Sequence, residues 1–433
     1  MKRNLIISLA LCAGLFPGLP CLQGQNFSGD LETYLNSLVE ILPGKNGNQY
    51  APPAAGELET WGQLIAGVMN GDLEGAREKA AQLNYKITDF EDPGDDPPSL
   101  YYVVEEEYPR SNYWGTYVFR RDPRRPGLVI KAPHPLYDTN TGFQAIFCFK
   151  RLDALALFIS GTHRCNSSSH SECSGSTTVC TGSWEPYRIS DNAHNTNSAF
   201  HVGTGVVFEQ GPDSTVFLQL HGFGKQSSDP YLIMSNGTRI TPDPDYIQVL
   251  MNELYEEDNV LTFKAAHLNP DWDRLIAFTN TQGRLVNGSS DPCTEDATEC
   301  SGRFIHIEQE KSRLRADSTG WYKMYKALEG TFPAIPSGTR TAGPGSITSI
   351  RVFPNPAGRC TRIEAAAPFT YSLHTLSGQR LLESLSESSV TEVSLDNLVP
   401  GIYLIRVNDQ RGTGWGKVWK FYRSRIDRWV ESR

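Results

Sequence analysis

Four leucines near the start of the chain after residue 25 recur at helical spacing. They lie three or four positions apart: Leu31, Leu35, Leu38 and Leu42. Asp72 stands where it can cap a second helix over residues 73–83. The pattern therefore predicts a helical region over residues 26–90, which ends in the acidic, proline-rich loop at residues 91–98.

The pattern then changes to short apolar runs that alternate with helical segments. The predicted strands are residues 101–105, 113–120, 127–131, 154–160, 215–220 and 303–308. The predicted helices are residues 143–152, 245–259 and 322–328. Strands and helices that alternate in this way predict an α/β domain, with a mixed or mostly parallel sheet and flanking helices, over residues 91–332.

The last part of the chain has a different composition. Residues 333–346 are rich in proline, glycine, serine and threonine, which is typical of a linker. Beyond it, the apolar runs are all short: residues 350–353, 361–364, 371–376, 390–395, 402–407 and 416–422. Short strands separated by turns predict an immunoglobulin-like β-sandwich over residues 347–433.

Three motifs of this domain occur in a fixed order. They are VFPNP at residues 352–356, LSGQ at residues 376–379 and LVPGIYL at residues 398–404. In this order they resemble the C-terminal sorting domain of type IX secretion cargo from Bacteroidetes. The resemblance implies that the type IX secretion machinery is a partner. It also implies that the protein crosses the periplasm and the outer membrane and is then secreted or attached to the cell surface.

The amino terminus agrees with export. Lys2 and Arg3 precede an apolar stretch at residues 5–15, which is followed by small and turn-forming residues up to residue 25. This order predicts a signal peptide over residues 1–25, because the apolar stretch is too short to span a bilayer. No other run approaches the roughly 18 apolar residues of a membrane helix, so we expect no transmembrane segment.

Charge and cysteine content narrow the function further. The chain has 40 Lys and Arg against 49 Asp and Glu, a net charge of −9, which argues against nucleic acid as a partner. Disulfides are plausible in an exported protein. We expect Cys293 to pair with Cys300 across a short polar loop, and Cys148 to be a buried thiol. We expect at least one further disulfide among three cysteines, which are Cys165, Cys173 and Cys180. The sequence does not determine which two of them pair.

Histidines follow three of the predicted strands. His134, His163 and His221 come at or just after the ends of apolar runs. A single histidine at a strand end is usually structural. Three favour a shared site, because the carboxyl ends of parallel strands meet at one edge of a sheet. Asp138, four residues after His134, could join them as a zinc ligand or could cap the following helix.

Other polar residues could supply the chemistry of such a site. His306 and Glu308 share one face of a strand, and a carboxylate at a strand end can act as a general base and then as an acid, unless the strand is a partly exposed edge. Arg164 and Arg313 could bind a substrate carboxylate or phosphate, or could be ordinary surface residues. A polar cluster at residues 190–195 could cap a helix and hold the side chains of the site in place.

Together these residues resemble zinc-dependent amidohydrolases and metallocarboxypeptidases, particularly N-formylglutamate-amidohydrolase-like proteins. The resemblance implies a zinc ion held by His134, Asp138 and His221, with His163 as the substitute for the second ligand. It implies that Glu308 is the catalytic residue.

Two departures from that pattern are visible. Carboxypeptidases place a glutamate three residues after the first histidine, whereas Asp138 lies four residues after it. The aspartate that usually stands two residues before the last histidine is replaced by Gln219.

These inferences predict a secreted zinc hydrolase of amide or peptide bonds, whose substrate is a small peptide or an N-acyl amino acid. Arg164 would orient a carboxylate of that substrate, and Arg313 is a second candidate for substrate binding. Two alternatives remain at this stage. One is a metal-dependent phosphoesterase that uses the same histidines, with Arg164 on phosphate. The other is a non-catalytic surface protein that binds its ligand on a hydrolase scaffold.

Overall fold

A computed structural model describes residues 25–334, 350–353, 357, 359–365, 368–375, 380–399, 401–409 and 412–420. Apart from residue 25, the predicted signal peptide lies outside the described residues. The predicted linker does so as well, apart from residues 333 and 334. Residues 354–356 and 376–379 of the first two sorting motifs are also outside them. In the described part of the chain, no helix is long and apolar enough to cross a membrane.

The main part of the chain consists of nine helices and twelve strands among the described residues. The helices are α1 (Leu31–Glu40), α2 (Ala55–Asn70), α3 (Leu73–Gln82), α4 (Thr141–Leu152), α5 (Ala199–Gln210), α6 (Tyr246–Glu257), α7 (Thr281–Val286), α8 (Lys311–Leu314) and α9 (Ser318–Thr331). The strands are β1 (Gln25–Ser28), β2 (Tyr85–Asp92), β3 (Ser99–Glu106), β4 (Thr116–Arg120), β5 (Arg125–Ala132), β6 (Ala154–Ile159), β7 (Ser176–Thr177), β8 (Glu185–Pro186), β9 (Val216–Phe223), β10 (Leu232–Ser235), β11 (Phe263–Ala265) and β12 (Phe304–Glu310).

Ten of these strands form one sheet, in the order β1-β2-β3-β4-β6-β5-β9-β12-β10-β11. Its centre, β6-β5-β9-β12, is parallel, and antiparallel pairings join β4 to β6 and β10 to β12. Helices α1, α4, α6 and α9 contribute to the apolar core on one face, and α2, α3 and α5 to the core on the other. The predicted α/β architecture with a mixed, mostly parallel sheet is therefore confirmed. Burial on both faces explains why β6 is apolar throughout.

The amino-terminal region differs from the helical region predicted for residues 26–90. Helix α3 ends at Gln82, and the next residues form β2, which pairs with β3. The reason is visible in the side chains of β2. Tyr85 and Ile87 enter the core on one face of the sheet and Phe90 enters the core on the other, which is the period of a strand.

The carboxyl-terminal region is made of antiparallel strands. They are β13 (Arg351–Phe353), β14 (Cys360–Glu364), β15 (Phe369–Thr375), β16 (Arg380–Ser386), β17 (Val390–Ser394), β18 (Gly401–Asp409) and β19 (Gly412–Lys420). They form two sheets, β13-β14-β17 and β16-β15-β18-β19. Residues of both sheets share one buried core, among them Ile363, Val393, Leu373 and Ile405. Strand β16 is an element that the sequence analysis missed.

The disulfides agree only in part with the sequence analysis. The expected pair within the first group is Cys165–Cys180, and Cys148 is a buried free thiol as predicted. The expected bridge from Cys293 to Cys300 is wrong, because Cys293 bonds to Cys173. Backbone contacts explain the choice of partner, since the amide of Ser174 donates to the carbonyl of Cys293 at 2.9 Å and holds the two loops together.

One fully buried lysine stands out in the sheet. Lys131 on β5 donates to Thr204 Oγ1, and its Nζ lies 4.3 Å from the ring centre of Phe200 and 5.9 Å from that of Phe217. Among the described residues no carboxylate forms a salt bridge with it. Burial therefore holds the pKa of Lys131 well below its usual value. A lysine in such a place stabilises the fold less than an apolar residue of similar length would.

We predict that Lys131→Met increases the free energy of unfolding at pH 7 by at least about 1.4 kcal/mol, the equivalent of one pKa unit. Unfolded lysine titrates near a pKa of about 10.4. Between the folded and unfolded values the unfolded chain binds more protons, so the stability of the unsubstituted protein rises with pH in that window. The substitution removes this rise. Urea unfolding at pH 7, 8 and 9 measures both effects.

The matched control is Lys225→Met, which changes an exposed lysine and should leave the pH dependence intact. A Lys131→Met protein that is less stable at pH 7, with the same pH dependence as the unsubstituted protein, would contradict the prediction.

Candidate metal centre

The candidate site lies at the carboxyl end of the central parallel strands. His134 comes two residues after the end of β5, and His221 lies near the end of β9. Glu308 lies on β12, where it is the direct partner of His221 across the two strands. Parallel strands present their carboxyl ends at one edge of a sheet, so these three side chains meet there.

A tight turn brings Asp138 to His134. The amide of Asp138 donates to the carbonyl of His134 at 3.1 Å, so the chain reverses immediately after β5. The cap of helix α4 is Asn140, at φ 69°, and not Asp138. The carboxylate of Asp138 therefore faces the histidine, with 3.2 Å between Asp138 Oδ2 and His134 Nδ1.

Three donor atoms converge at this point. Asp138 Oδ2 lies 3.2 Å from His134 Nδ1 and 3.2 Å from His221 Nδ1, and the two Nδ1 atoms are 3.1 Å apart. The three residues are 3%, 0% and 1% exposed. Ligands about 2.0–2.1 Å from a tetrahedral zinc ion lie roughly 3.3 Å from one another. The triangle thus has nearly the size of one face of a zinc coordination tetrahedron.

The hydrogen bonds behind the two histidines set their tautomers. His134 Nε2 lies 2.8 Å from Asp191 Oδ1, and His221 Nε2 lies 3.1 Å from Gln219 Oε1. Both partners are acceptors, so each histidine carries its proton on Nε2 and points the lone pair of Nδ1 at Asp138. Three lone pairs this close repel one another unless a cation or a proton lies among them. The donor set therefore fits zinc.

The charges around the triangle are closely balanced. Burial and Arg164 act to lower the pKa of His134, but Asp191 and Asp138 outweigh them and raise it. Burial, together with His306, holds the pKa of His221 well below its usual value. Without metal, the second proton therefore goes to His134 and not to His221. His134 lies between the carboxylates of Asp138 and Asp191, which stabilise its positive charge. A metal ion would replace that proton.

Arg164 lies beside the triangle, but most of its guanidinium is already engaged. Its Nε donates to Asp191 Oδ2 at 2.9 Å, and Nη2 donates to the same oxygen. Nη1 is 3.4 Å from His134 Nδ1. Asp191 therefore joins Arg164 to His134, and it also lies 3.1 Å from His194 Nδ1. The sequence analysis flagged the cluster around Asp191 but could not assign this contact.

His163, the substitute candidate, lies close to the site without joining the triangle. Its Nδ1 accepts the amide of Cys165 at 2.9 Å, and its ring meets that of Tyr137 edge-on at 5.4 Å. Burial lowers the pKa of His163 to about 4, so it is neutral at pH 7. It belongs to none of the three metal-sized groups of side chains found in the described residues.

Glu308 is buried next to the triangle. It is 7% exposed, because β12 lies between β9 and β10 and is not an edge strand. Its Oε1 lies 3.3 Å from His306 Nε2, while Oε2 has no hydrogen-bond partner among the described residues. Ligand atoms of His221, His306 and Glu308 lie within 4.8 Å of one another. The free oxygen gives Glu308 the capacity to accept a proton at this site.

Arg313 has its contacts elsewhere. It donates through Nε and Nη2 to Asp258, at 2.9 and 2.7 Å, and lies over the ring of Tyr231. Arg315, two residues further on, is buried and donates to the carbonyls of Thr139 and Phe223. These bonds tie the turn that carries Asp138 to the end of β9, so Arg315 supports the site through the backbone.

Comparison with known families adds one finding. Residues 351–420 match the secretion system C-terminal sorting domain. No curated protein shows significant similarity to the chain. The sorting domain shows export by type IX secretion, to the cell surface or beyond it, and implies interaction with that machinery. The match does not extend to residues 91–332, whose chemistry has to be argued from their site.

We predict that the affinity for Zn²⁺ falls about tenfold per pH unit below the pKa of His134, because the proton and the metal compete for Nδ1. The raised pKa of His134 places the onset of this decline above pH 6.5, the ordinary value for histidine. Competition with a chromogenic chelator between pH 5.5 and 8 measures it.

In the matched variant Asp191→Asn, the anion that raises the pKa of His134 is removed, so the decline should begin at lower pH. An affinity that is constant from pH 5.5 to 8 would show that no such proton is displaced.

Proposed function

We propose that this protein is a secreted zinc-dependent hydrolase of amide or peptide bonds. The observation that carries the proposal is the convergence of His134, Asp138 and His221 beside the buried carboxylate of Glu308, which has one unpaired oxygen. Three protein ligands are the usual number at a catalytic zinc site, and an adjacent free carboxylate can act as general base and acid.

In the proposed hydrolysis, the metal ligands, Glu308 and His306 have different roles. Zinc held by the triangle would polarise a carbonyl and lower the pKa of bound water to about 7. Glu308 Oε2 would take up the proton of that water and deliver it to the leaving nitrogen. His306 contacts the other oxygen, Oε1, at 3.3 Å, which holds the carboxylate in place while Oε2 reacts.

The substrate class follows from the groups beside the triangle. Nε and Nη2 of Arg164 bind Asp191, and Nη1 lies 3.4 Å from His134 Nδ1, so Nη1 would be released for a substrate when that nitrogen binds a metal. Tyr137, next to Asp138, is 39% exposed and available for contact. One positive group and one aromatic ring suit a carboxylate attached to a small organic body. We therefore propose small peptides or N-acyl amino acids as substrates, with the carboxylate on Arg164.

The phosphoesterase alternative would use the same metal ligands and the same arginine. Arginine binds carboxylates and phosphates alike through two parallel N–H groups, and in Arg164 one such edge is taken by Asp191. The substrate panel in the experiment below therefore distinguishes the phosphoesterase. The non-catalytic alternative would keep the metal and the ligand but not the turnover, so the experiment below distinguishes it.

We also propose that the two carboxyl-terminal sheets form an immunoglobulin-like sandwich. The support is that both are antiparallel and share one apolar core. The sorting domain serves export, so we assign the proposed hydrolytic site to residues 91–332.

We predict that Glu308→Gln lowers kcat for amide substrates by about 10²–10⁴-fold and leaves bound zinc unchanged. The substitution keeps the shape of the side chain and removes only its ability to accept a proton from water and pass it on as a general base and acid. The measurement is turnover of a panel of dipeptides, N-acyl amino acids and phosphate esters, with zinc content determined on the same samples.

The control is Glu310→Gln, two residues further along β12, whose carboxylate accepts the amide of Ser312 at the start of α8. This variant should retain full activity. Unchanged amide hydrolysis by Glu308→Gln would remove Glu308 from the mechanism. Turnover of phosphate esters alone would favour the phosphoesterase, and zinc without any turnover would favour the binding protein.

A further inference from the structure

A chain of buried side-chain amides lies behind His221 and begins at Gln219. The two residues are two positions apart on β9, so they share one face of the strand. Both are buried, and His221 Nε2 lies 3.1 Å from Gln219 Oε1. Gln219 is the residue that departs from the carboxypeptidase pattern, in which an aspartate stands at this position.

Neighbouring hydrogen bonds define which end of the Gln219 amide faces the histidine. Asn280 Nδ2 donates to Gln219 Oε1 at 2.7 Å, and Gln219 Nε2 donates to Gln282 Oε1 at 2.9 Å. Gln282 in turn donates through Nε2 to the carbonyl of Asn192 at 2.8 Å, so its own amide cannot be reversed without losing that bond. Gln219 therefore presents its oxygen, and not its nitrogen, to His221.

The other end of the chain of amides is anchored in the backbone. Asn280 Oδ1 caps helix α7 by accepting the amides of Gln282 and Gly283 at 3.1 and 3.0 Å. This fixes the orientation of the Asn280 side chain, whose nitrogen then points to Gln219. The orientation of one ring nitrogen on β9 is thus tied to the first turn of α7.

We propose that Gln219 is a positioning residue that sets the affinity of the site for its metal. It accepts the Nε2 proton of His221 and so keeps the Nδ1 lone pair of that histidine aimed at the triangle. The inference rests on the proposed zinc site.

The neutral acceptor has an electrostatic consequence. Behind His134 the acceptor is the anion Asp191, whose charge is balanced by Arg164. No arginine or lysine forms a salt bridge with Glu308 in the described part of the chain. Position 219 is the direct partner of His306 on β12, so a carboxylate there would add a second buried anion to the pair of strands that already carries Glu308. Gln219 orients His221 without adding that charge.

The test compares two substitutions in the full-length mature protein. Gln219→Leu removes the acceptor, and we expect the dissociation constant for Zn²⁺ to rise about 10–100-fold, as for other groups that orient a metal ligand. Gln219→Met keeps the length of the side chain but has no amide oxygen, so its affinity should fall to the same extent. The probe is Zn²⁺ alone, titrated against a competing chelator at constant pH, with near-UV circular dichroism to verify the fold.

The matched control is Gln144→Leu, which removes another buried amide. Gln144 exchanges two hydrogen bonds with Gln309, at 2.9 and 2.8 Å, and touches neither ligand histidine with its side chain. This variant measures the general cost of deleting a buried amide, and its zinc affinity should be unchanged.

The outcomes separate this inference from the proposed function. If the unsubstituted protein binds no zinc, both are overturned. If it binds zinc and Gln219→Leu binds zinc as well as Gln144→Leu does, only the role of Gln219 is overturned. If Gln219→Leu does not fold, Gln219→Met decides, because an unchanged zinc affinity in that variant would mean that Gln219 acts by packing and not as an acceptor.

Discussion

The arrangement on which the site depends is the close approach of three buried electron-pair donors. His134, Asp138 and His221 hold their donor atoms 3.1–3.2 Å apart at the edge of a buried parallel sheet. Left to themselves these groups would separate or take up a proton. The surrounding structure prevents separation: the turn after β5 holds Asp138, and Arg315 ties that turn to the end of β9.

One disulfide-bonded loop connects export of the protein with the geometry of the candidate site. Arg164 and Asp191 flank a segment that carries the bond Cys165–Cys180 and is joined by Cys173–Cys293 to a distant loop. Such bonds persist in the oxidising compartments outside the cytoplasm, where the sorting domain takes the protein. The segment delivers the carboxylate that orients His134. Crosslinking of the segment therefore supports the geometry of the candidate metal centre as well as the stability of the fold.

Part of this could be predicted from the sequence, for a physical reason. The sequence predicts a shared site from apolar strands that end in histidine or glutamate, as at His134, His221 and Glu308. The reason is that parallel strands bring their carboxyl ends to the same edge of the sheet. The role of Asp191 could not be predicted, since a long loop carries it back to β5. The partner of Cys293 was missed for the same reason. Helix α5 was missed because its two glycines weaken the helical signal. At Gly203 there is a packing reason for glycine, since a Cβ there would lie 3.4 Å from the ring of Phe158 and 3.5 Å from that of Trp61.

The most direct test of this account is the zinc content of the purified protein after reconstitution and removal of excess metal. We expect close to one zinc ion per chain in the unsubstituted protein and in His170→Ala, which changes an exposed histidine away from the triangle. His134→Ala and His221→Ala should each lose the metal. A protein that retains no zinc, or one that retains it fully in both of these variants, would contradict the account.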